Sequence, residues 1–341
     1  YDLALPWVDA GNGLANFDID TNPATPSLVL ARPGNWADRA TVQPDRNNFA
    51  PRIGFAYRAA EHTVIRAGYG LFYALFEPTG GAQFLETNPP FHWKSQISTD
   101  SIHPAVLLRD GVPPVIGDPA YAAALSLSSF ERDPPWPLAQ QWNFNIQHSL
   151  PGDTVWEAGY YGAKSNHLVN RINANWALPG PGDINSRRRY QEVAVPGSGA
   201  VVSPLAAMNR HEYNGNSLFH SLQTRLERKY ANGLTLLAAY IFSRTIGDAP
   251  GFAGSGSSPN SNIQNPRDRR AERSLDGLHR KHSFVVSYIY DLPLGREGDG
   301  WRRRLLAGWS VAGITVVASG RPYGLSVRGD PANTGDLNRP N

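Results

Sequence analysis

A β-hairpin between residues 217 and 246 constrains the fold more than any other stretch of the chain. Its first arm alternates, with Leu222 and Leu226 on one side and Gln223 and Arg225 on the other. A period of two is typical of a strand with one apolar and one polar face. Because the leucines are also four residues apart, this arm taken alone is compatible with an amphipathic helix.

The length of the two arms points to an unusual environment. Asn232-Gly233 predicts a tight hairpin turn, and a second apolar run returns from residue 234 to 246. Each arm has about a dozen residues, whereas strands of globular proteins have about five or six. A tilted strand of roughly 9–11 residues crosses a lipid bilayer.

The same alternation recurs along the chain, and this recurrence favours strands over helices. In residues 139–150, Trp142, Phe144 and Ile146 alternate with Asn143 and Asn145, a pattern that no helix keeps on one face. We predict eight strands, at residues 51–58, 63–74, 139–150, 154–164, 217–230, 234–246, 281–292 and 308–319.

The connections between the predicted strands are alternately short and long. Such a chain places tight turns at one end of a sheet and large loops at the other, as in outer-membrane barrels. The predicted fold is therefore all-β: an antiparallel transmembrane β-barrel segment of about eight long strands, with short periplasmic turns and long extracellular loops. We expect residues 1–50 to be an irregular extracellular loop, 51–319 the barrel strands with their loops, and 320–341 a truncated extracellular loop.

Composition narrows the functional classes. Lys and Arg number 32 against 29 Asp and Glu, so the net charge of +3 gives no electrostatic case for nucleic-acid binding. Cysteine is absent, which excludes a disulfide scaffold and a thiol nucleophile. No G-x-S-x-G, H-E-x-x-H or phosphate-binding loop is present, so we expect no enzyme, no cofactor and no metal centre.

Two sets of residues are candidates for function. Polar alternates of the strands are expected to face a wet lumen. These lumen-facing candidates are Arg66, Gln141, Asn143, Asn145, Gln147, Glu157, Gln223, Arg225 and Glu227. Three loop tryptophans are candidates for stacking on a ligand or for packing within the loops: Trp93, Trp136 and Trp176.

Charged clusters in the loops leave alternatives open. The basic runs 187–189 and 267–273 suit solvated loops or contacts with lipopolysaccharide. The oxygen-bearing side chains of Asp330, Asn333, Asp336 and Asn338 suit a solvated turn or a calcium site.

Several blocks resemble one family. NNFAPRIGFAYR (47–58), PPWPLAQQWNFNIQHSLPGDTVWEAGYYGAKSNHL (134–168) and GWSVAGITVVASGRPY (308–323) are similar to barrel segments of Oar-like TonB-dependent outer-membrane receptors. The resemblance covers residues 47 to 323. It implies a barrel of around 22 strands in the outer membrane that takes up a large, unidentified solute.

The same resemblance implies partners that this stretch does not carry. A plug domain, a TonB box and a closing strand with a terminal aromatic residue belong to the family pattern, and none is recognisable in the sequence. We therefore expect a piece of a longer receptor, whose partners are outer-membrane lipid, lipopolysaccharide and, through the plug, the TonB complex.

A secreted, soluble β-sandwich that binds carbohydrate is the alternative. It shares the aromatic residues and the asparagine-rich loops. The two hypotheses differ in where the apolar strand faces lie: packed together in a sandwich, or turned outward toward lipid in a barrel.

Overall fold

The computed structural model describes residues 5–73, 82–93, 109, 125–249, 263, 265, 267–294, 300–301, 307–325 and 327–335. Within them, one large antiparallel sheet dominates. Its eight long strands are β3 (Arg52–Ala60), β4 (Thr63–Tyr73), β6 (Leu138–Leu150), β7 (Thr154–Asn173), β10 (Asn209–Ala231), β11 (Leu234–Gly247), β13 (His282–Asp291) and β14 (Ser310–Ala318).

Smaller elements accompany this sheet. They are β1 (Ala15–Asp18), β2 (Ser27–Leu30), helix α1 (Trp36–Ala40), helix α2 (Ala82–Leu85), β5 (Ser128–Phe130), β8 (Val193–Ala194), β9 (Val201–Val202) and β12 (Ser274–Leu275), with 3-10 turns at Asn185–Arg187 and Arg269–Glu272. No helix in the described ranges has the length and apolar character needed to cross a membrane.

The long strands lie side by side in the order of the chain. The path β3-β4-β6-β7-β10-β11-β13-β14 is antiparallel throughout, while β5 and β12 pair at the margins of β10 and β11. Each of the eight segments predicted as a strand forms one. The helical alternative for the first hairpin arm is wrong, because Leu222 pairs with Tyr160 on one side and with Phe242 on the other.

Two strands continue well beyond the predicted bounds. Strand β7 reaches Asn173 and β10 starts at Asn209, within stretches that the sequence analysis left as loop, and these extensions pair with each other. Register shifts around Gly215 interrupt the ladder there, which bends a strand locally. The irregularity breaks the two-residue period and hides the extension from sequence analysis.

Residues 1–50, expected to be irregular, contain folded structure in their described part. Strands β1 and β2 form an antiparallel pair. On the side away from β2, β1 lies next to β5, and side chains bridge the two. The Asn16 amide bonds the backbone of Phe130 in both directions, the Asn88 amide bonds that of Ser128, and Asn88 also donates to the Ala15 carbonyl.

We call the assembly of β1, β2, α1, β5, β8, β9 and the extended ends of β7 and β10 the cap. The cap has a conventional core, in which Phe17, Leu127, Leu205 and Met208 are fully buried. A second apolar cluster contains Leu14, Phe130 and Trp136. The cap therefore folds as ordinary water-soluble structure does, by hiding its apolar side chains.

The long sheet does the opposite. Phe55 (59% exposed), Phe144 (47%) and Leu222 (52%) lie open on one face, although they are large and apolar. No second layer of described residues covers them, and their strands belong to one sheet. This arrangement contradicts the β-sandwich alternative, in which these side chains would be packed against a facing sheet.

Aromatic rings pack over glycines on that exposed face. A Cβ atom at Gly162 would lie 2.2 Å from the indole of Trp142, which covers the glycine from the neighbouring strand. A Cβ atom placed in the same way at Gly54, on the edge strand β3, would have no other atom within 4 Å.

Gly162→Ala should therefore destabilise the sheet by about 1–3 kcal/mol, because the Trp142 ring must leave its position. The matched change Gly54→Ala should be nearly neutral. Urea-induced unfolding of the chain in detergent micelles measures both. Equal stabilities of the two variants would show that Trp142 does not pack as described.

Candidate functional site: the polar face of the sheet

All nine lumen-facing candidates lie on one face of the sheet. Residues directly opposite each other in an antiparallel pair share a face. Arg66 lies opposite Asn145, Asn145 opposite Gly159, and Gly159 opposite Gln223. A second row runs through Gln147, Glu157 and Arg225. We call the side that carries these residues the polar face and the side that carries Phe55, Phe144 and Leu222 the apolar face.

Polar side chains bond to one another across this face. The Arg66 guanidinium donates to the Gln147 amide oxygen at 2.6 Å. Arg225 pairs with Glu227 at 2.6 Å. Gln223 donates to the Ser221 hydroxyl at 3.1 Å. Of these three bonds, the first joins neighbouring strands and the other two join alternate residues within β10. The polar face thus carries hydrogen-bonding side chains on four strands.

At two central positions the polar face is more enclosed than the apolar face. Ser221 is 3% exposed and Asn145 is 8% exposed, while Phe144 and Leu222, their neighbours in sequence on the apolar face, are about half exposed. A protein in water buries its apolar residues and exposes its polar ones. The inverted pattern suits a surface with hydrocarbon outside and water within.

Toward β14 the polar face changes character. Arg225 lies opposite Ala239, and the row continues to Val285 and then Val316. Ile314 and Val316 are 74% and 63% exposed on this side of β14. Sequence alternation is weak in these strands, so the apolar stripe was not predicted.

Polar-tipped aromatic residues lie near both ends of the long strands. At the long-loop end, the hydroxyls of Tyr160 and Tyr240 bond the Nδ1 atoms of His220 and His282, at 2.6 and 2.8 Å. At the tight-turn end, the hydroxyl of Tyr230 donates to Asp291 at 2.7 Å.

The spacing of these ends matches a membrane. His220 and Tyr230 are about ten residues apart, or roughly 33 Å along an extended strand. A strand tilt near 40° reduces this length to a height of about 25 Å, the thickness of the apolar band of outer-membrane barrels. Rings with one polar edge are typical of the two interfaces of such a band.

The three loop tryptophans lie in different environments. Trp136 is 3% exposed inside the second cluster of the cap, so its ring packs within the protein and offers no surface to a ligand. The guanidinium of Arg267 lies 5.2 Å from the centre of the Trp176 ring. Trp93 is 43% exposed and stays a candidate.

The proposed calcium ligands are described only in part. Asp330 accepts a bond from the Gly335 amide at 2.5 Å, and the Asn333 amide donates to the carbonyls of Gly180 and Gly182 at 2.9 Å. Asp330 therefore closes the turn itself, and Asn333 joins it to a neighbouring loop. Asp336 and Asn338 lie outside the described residues.

A buried charge cluster in the cap escaped sequence analysis. Arg210, with a side chain 6% exposed, bonds Asp20 at 2.5 Å and Glu212 at 2.9 Å. Beside it, burial raises the pKa of Glu131, although a bond from the Tyr213 amide lowers it in part. Asp20 and Arg210 are far apart in sequence, so no local sequence pattern predicts their pairing.

His211, next in the chain, lies between aromatic rings. Its ring centre is 4.5 Å from that of Phe130 and 5.0 Å from that of Phe84. Burial, and secondarily the charge of Arg171, lower the pKa of His211 to about 3. Because it lies in the cap extension of β10, beyond the sheet's aromatic rim, His211 belongs to the water-exposed part of the molecule.

A polar cleft of about 470 Å³ opens in the cap between the β1–β2 pair and α1. Asp18, Arg32, Asp38 and Arg132 contribute its charges. These groups neutralise one another in pairs, Arg32 with Asp38 at 2.8 Å and Arg132 with Asp18 at 3.6 Å. A ligand in this cleft would have to compete with those pairs.

One sheet with an exposed apolar face, an enclosed polar face and aromatic rims has the architecture of an outer-membrane β-barrel wall. A family model described as outer membrane beta barrel domain matches residues 1–341. The chain belongs to this family, and its place is the outer membrane. No curated protein sequence matches it.

Solved structures resemble the chain at low identity. The outer-membrane transporter YddB from Escherichia coli is 10% identical with a TM-score of 0.46, over 84% of this chain and 30% of that one. The alcaligin outer-membrane receptor FauA from Bordetella pertussis is 14% identical with a TM-score of 0.35, over 81% and 30%. The chain thus spans less than a third of the length of these two proteins.

The two faces predict opposite responses to charge. Leu222→Arg places a guanidinium in hydrocarbon and should cost about 2–4 kcal/mol near the membrane midplane. Gln223→Arg, one residue away on the polar face, should cost much less. Folding into liposomes, followed by denaturant titration, measures both costs, and equal values would contradict the assignment of faces.

His211 predicts a pH dependence of the cap. Its folded pKa lies below the usual value near 6.5, so the unfolded cap binds a proton first as the pH falls. Stability from this group is full above pH 6.5 and is lost toward pH 3, at no more than about 1.4 kcal/mol per pH unit. Amide exchange in the cap, corrected for intrinsic rates, measures the loss.

The variant His211→Leu removes this proton site while keeping an apolar side chain between the two phenylalanine rings. The loss of protection between pH 6.5 and 3 should be smaller in the variant. Glu131 works in the opposite sense, since a raised carboxyl pKa contributes stability that is lost as the pH rises. An unchanged pH profile in the variant would exclude His211 as the source.

Proposed function

We propose that this chain is the barrel portion of a TonB-dependent outer-membrane receptor that takes up a large solute. The polar face lines the water-filled interior, and the apolar face contacts lipid. The observation that carries the proposal is the common face of Arg66, Asn145, Glu157, Gln223 and Arg225, brought into register by four strands. A passage for a hydrated solute needs such a wall of polar side chains.

Two further features support this assignment. The sequence blocks that resemble Oar-like receptors include β6 and most of β7, two of the four strands that build the polar face. The polar face also contains the apolar stripe of Val285, Ile314 and Val316, which would be costly against water. A plug domain inside the barrel would cover this stripe, and the TonB complex would act through that plug.

The remaining strands belong to the rest of the receptor. In the described residues the sheet ends at β3 and β14 with unpaired edges. Lipid provides no partner for an open edge, so further strands must continue the sheet until it closes. Around 22 strands in total is the number that the family resemblance implies.

The cap lies at the long-loop end, which faces outward in this proposal. Its cleft and Trp93 are the described surfaces open to an arriving solute. Lipid and lipopolysaccharide would surround the apolar face below it.

Uptake measurements in the native host test the function. A strain that lacks the full-length gene should fail to take up at least one solute too large for general pores. Restoring the gene should restore uptake, and a protonophore should abolish it, because TonB-coupled transport consumes the proton gradient. Unchanged uptake of every large solute supplied, or uptake insensitive to the protonophore, would contradict the proposal.

A pair of adjacent substitutions ties uptake to the polar face. Gln223→Trp should reduce uptake severalfold because a bulky ring enters the passage. Leu222→Trp should leave it unchanged because aromatic side chains are tolerated on the lipid side. Immunoblots of outer membranes should show both variants at equal abundance. Equal uptake by the two variants would argue against a passage along this face.

A further inference from the structure

Two basic side chains occupy the apolar face near its long-loop end. Lys164 lies opposite Gln140 and Leu218, and Arg244 lies opposite His220 in the row below. Both side chains are exposed. A cation on a lipid-facing surface must sit where the hydrocarbon ends, so these residues mark the level of the lipid headgroups.

Their surroundings combine apolar contact with positive charge. Ile246 pairs with Leu218 on one side and with Leu275, 44% exposed, on the other. The backbone of Arg280 and Lys281 lies beside Arg244, since their carbonyls accept bonds from Ser243 at 2.7 and 2.9 Å. Both of these residues are exposed as well.

Among the described strand residues, none on this surface carries a carboxylate. On the upper rows of the apolar face, the described strand residues from β4 to β13 include no Asp or Glu. Two carboxylates lie close by in the chain: Asp248 pairs with Arg269 at 3.6 Å, and Asp276, whose backbone bonds that of Thr245, accepts a bond from the Leu278 amide. The four basic residues Lys164, Arg244, Arg280 and Lys281 outnumber them. The excess of positive charge at this level therefore favours an anionic partner.

The spacing suits an anion with more than one charge. Lys164 and Arg244 are separated by two strand intervals and two residues along the strands, so their Cα atoms are roughly 12 Å apart. Their flexible side chains bring the cationic ends to groups anywhere between. Arg and Lys both bind phosphate oxygens through charge-assisted hydrogen bonds.

We propose that Lys164 and Arg244 bind the phosphate groups of lipid A, the membrane anchor of lipopolysaccharide, while the apolar residues beside them contact its acyl chains. Arg280 and Lys281 strengthen the local positive potential. The inference deepens the lipopolysaccharide contact proposed above and depends on the outer-membrane location, and it is independent of solute uptake.

Binding to the purified full-length protein in detergent tests the site. The probes are diphosphorylated lipid A, the same lipid with both phosphates removed, and inorganic phosphate, with native mass spectrometry for the bound lipid. The protein should retain the diphosphorylated form preferentially, less so as salt is raised. Equal retention of the two lipids would overturn the proposal. Displacement of the lipid by inorganic phosphate at a concentration equal to that of the lipid would overturn it as well.

Substitutions locate the site. Lys164→Gln with Arg244→Gln should weaken binding of diphosphorylated lipid A by about 25-fold, since each basic residue at an anionic lipid surface contributes roughly fivefold. The control, Arg58→Gln with Lys229→Gln, removes the same charge at the tight-turn end and should leave binding within twofold. Equal losses in both pairs would show a general charge effect and overturn the assignment.

A conservative double substitution controls for effects of misfolding. Lys164→Arg with Arg244→Lys keeps both charges and should retain binding near the wild-type level. If this exchange binds as weakly as the glutamine pair while still folding, packing rather than charge governs the site and the proposal fails. Because uptake is measured separately, loss of lipid A binding without loss of transport refutes only this inference.

Discussion

The interior of a membrane offers a peptide group no hydrogen-bond partner, and the structure of this chain follows from that constraint. A strand in lipid must bond its amides and carbonyls to neighbouring strands along its whole length. The six inner strands achieve this by pairing on both sides with their neighbours in chain order, while β3 and β14 pair on one side within the described residues. Tight turns and long loops join the strands alternately. Alternate side chains along each strand can then face lipid on one side of the sheet and water on the other.

That division explains why one chain follows two opposite packing rules. In the cap, Phe17, Leu127 and Met208 are buried as in any water-soluble domain. In the sheet, Phe55, Phe144 and Leu222 are exposed and Ser221 and Asn145 are enclosed. The change occurs along single strands, since β7 and β10 run from the sheet into the cap. Strands β7 and β10 therefore pass from lipid to water at the level of His220.

Sequence alone was sufficient where the period of two is unbroken. Strand β6 was predicted within one residue of its bounds, because Trp142, Phe144 and Ile146 alternate cleanly with asparagines. The nine residues predicted to face a lumen share one face of the sheet for the same reason, since a strand's faces are fixed by parity. The pairing of strands joined by tight turns also followed, because a short turn leaves two consecutive strands no other neighbour.

Alternation of apolar and polar residues could not predict the cap. Its strands are two to four residues long, and its joints depend on residues far apart in sequence, such as the Asn16 amide with Phe130 and Asp20 with Arg210. Trp136 follows a proline pair in an irregular stretch, where nothing local distinguishes a buried ring from an exposed one. The extension of β10 was hidden by the register shifts at Gly215.

Cysteine scanning along β6 tests the central claim most directly, because the chain has no native cysteine to interfere. Single cysteines at Asn143, Phe144, Asn145 and Ile146 would be probed with a charged, membrane-impermeant maleimide in native outer membranes. The account predicts labelling at positions 143 and 145 and protection by lipid at 144 and 146. Uniform labelling, or labelling at 144 and 146 with protection at 143 and 145, would contradict it.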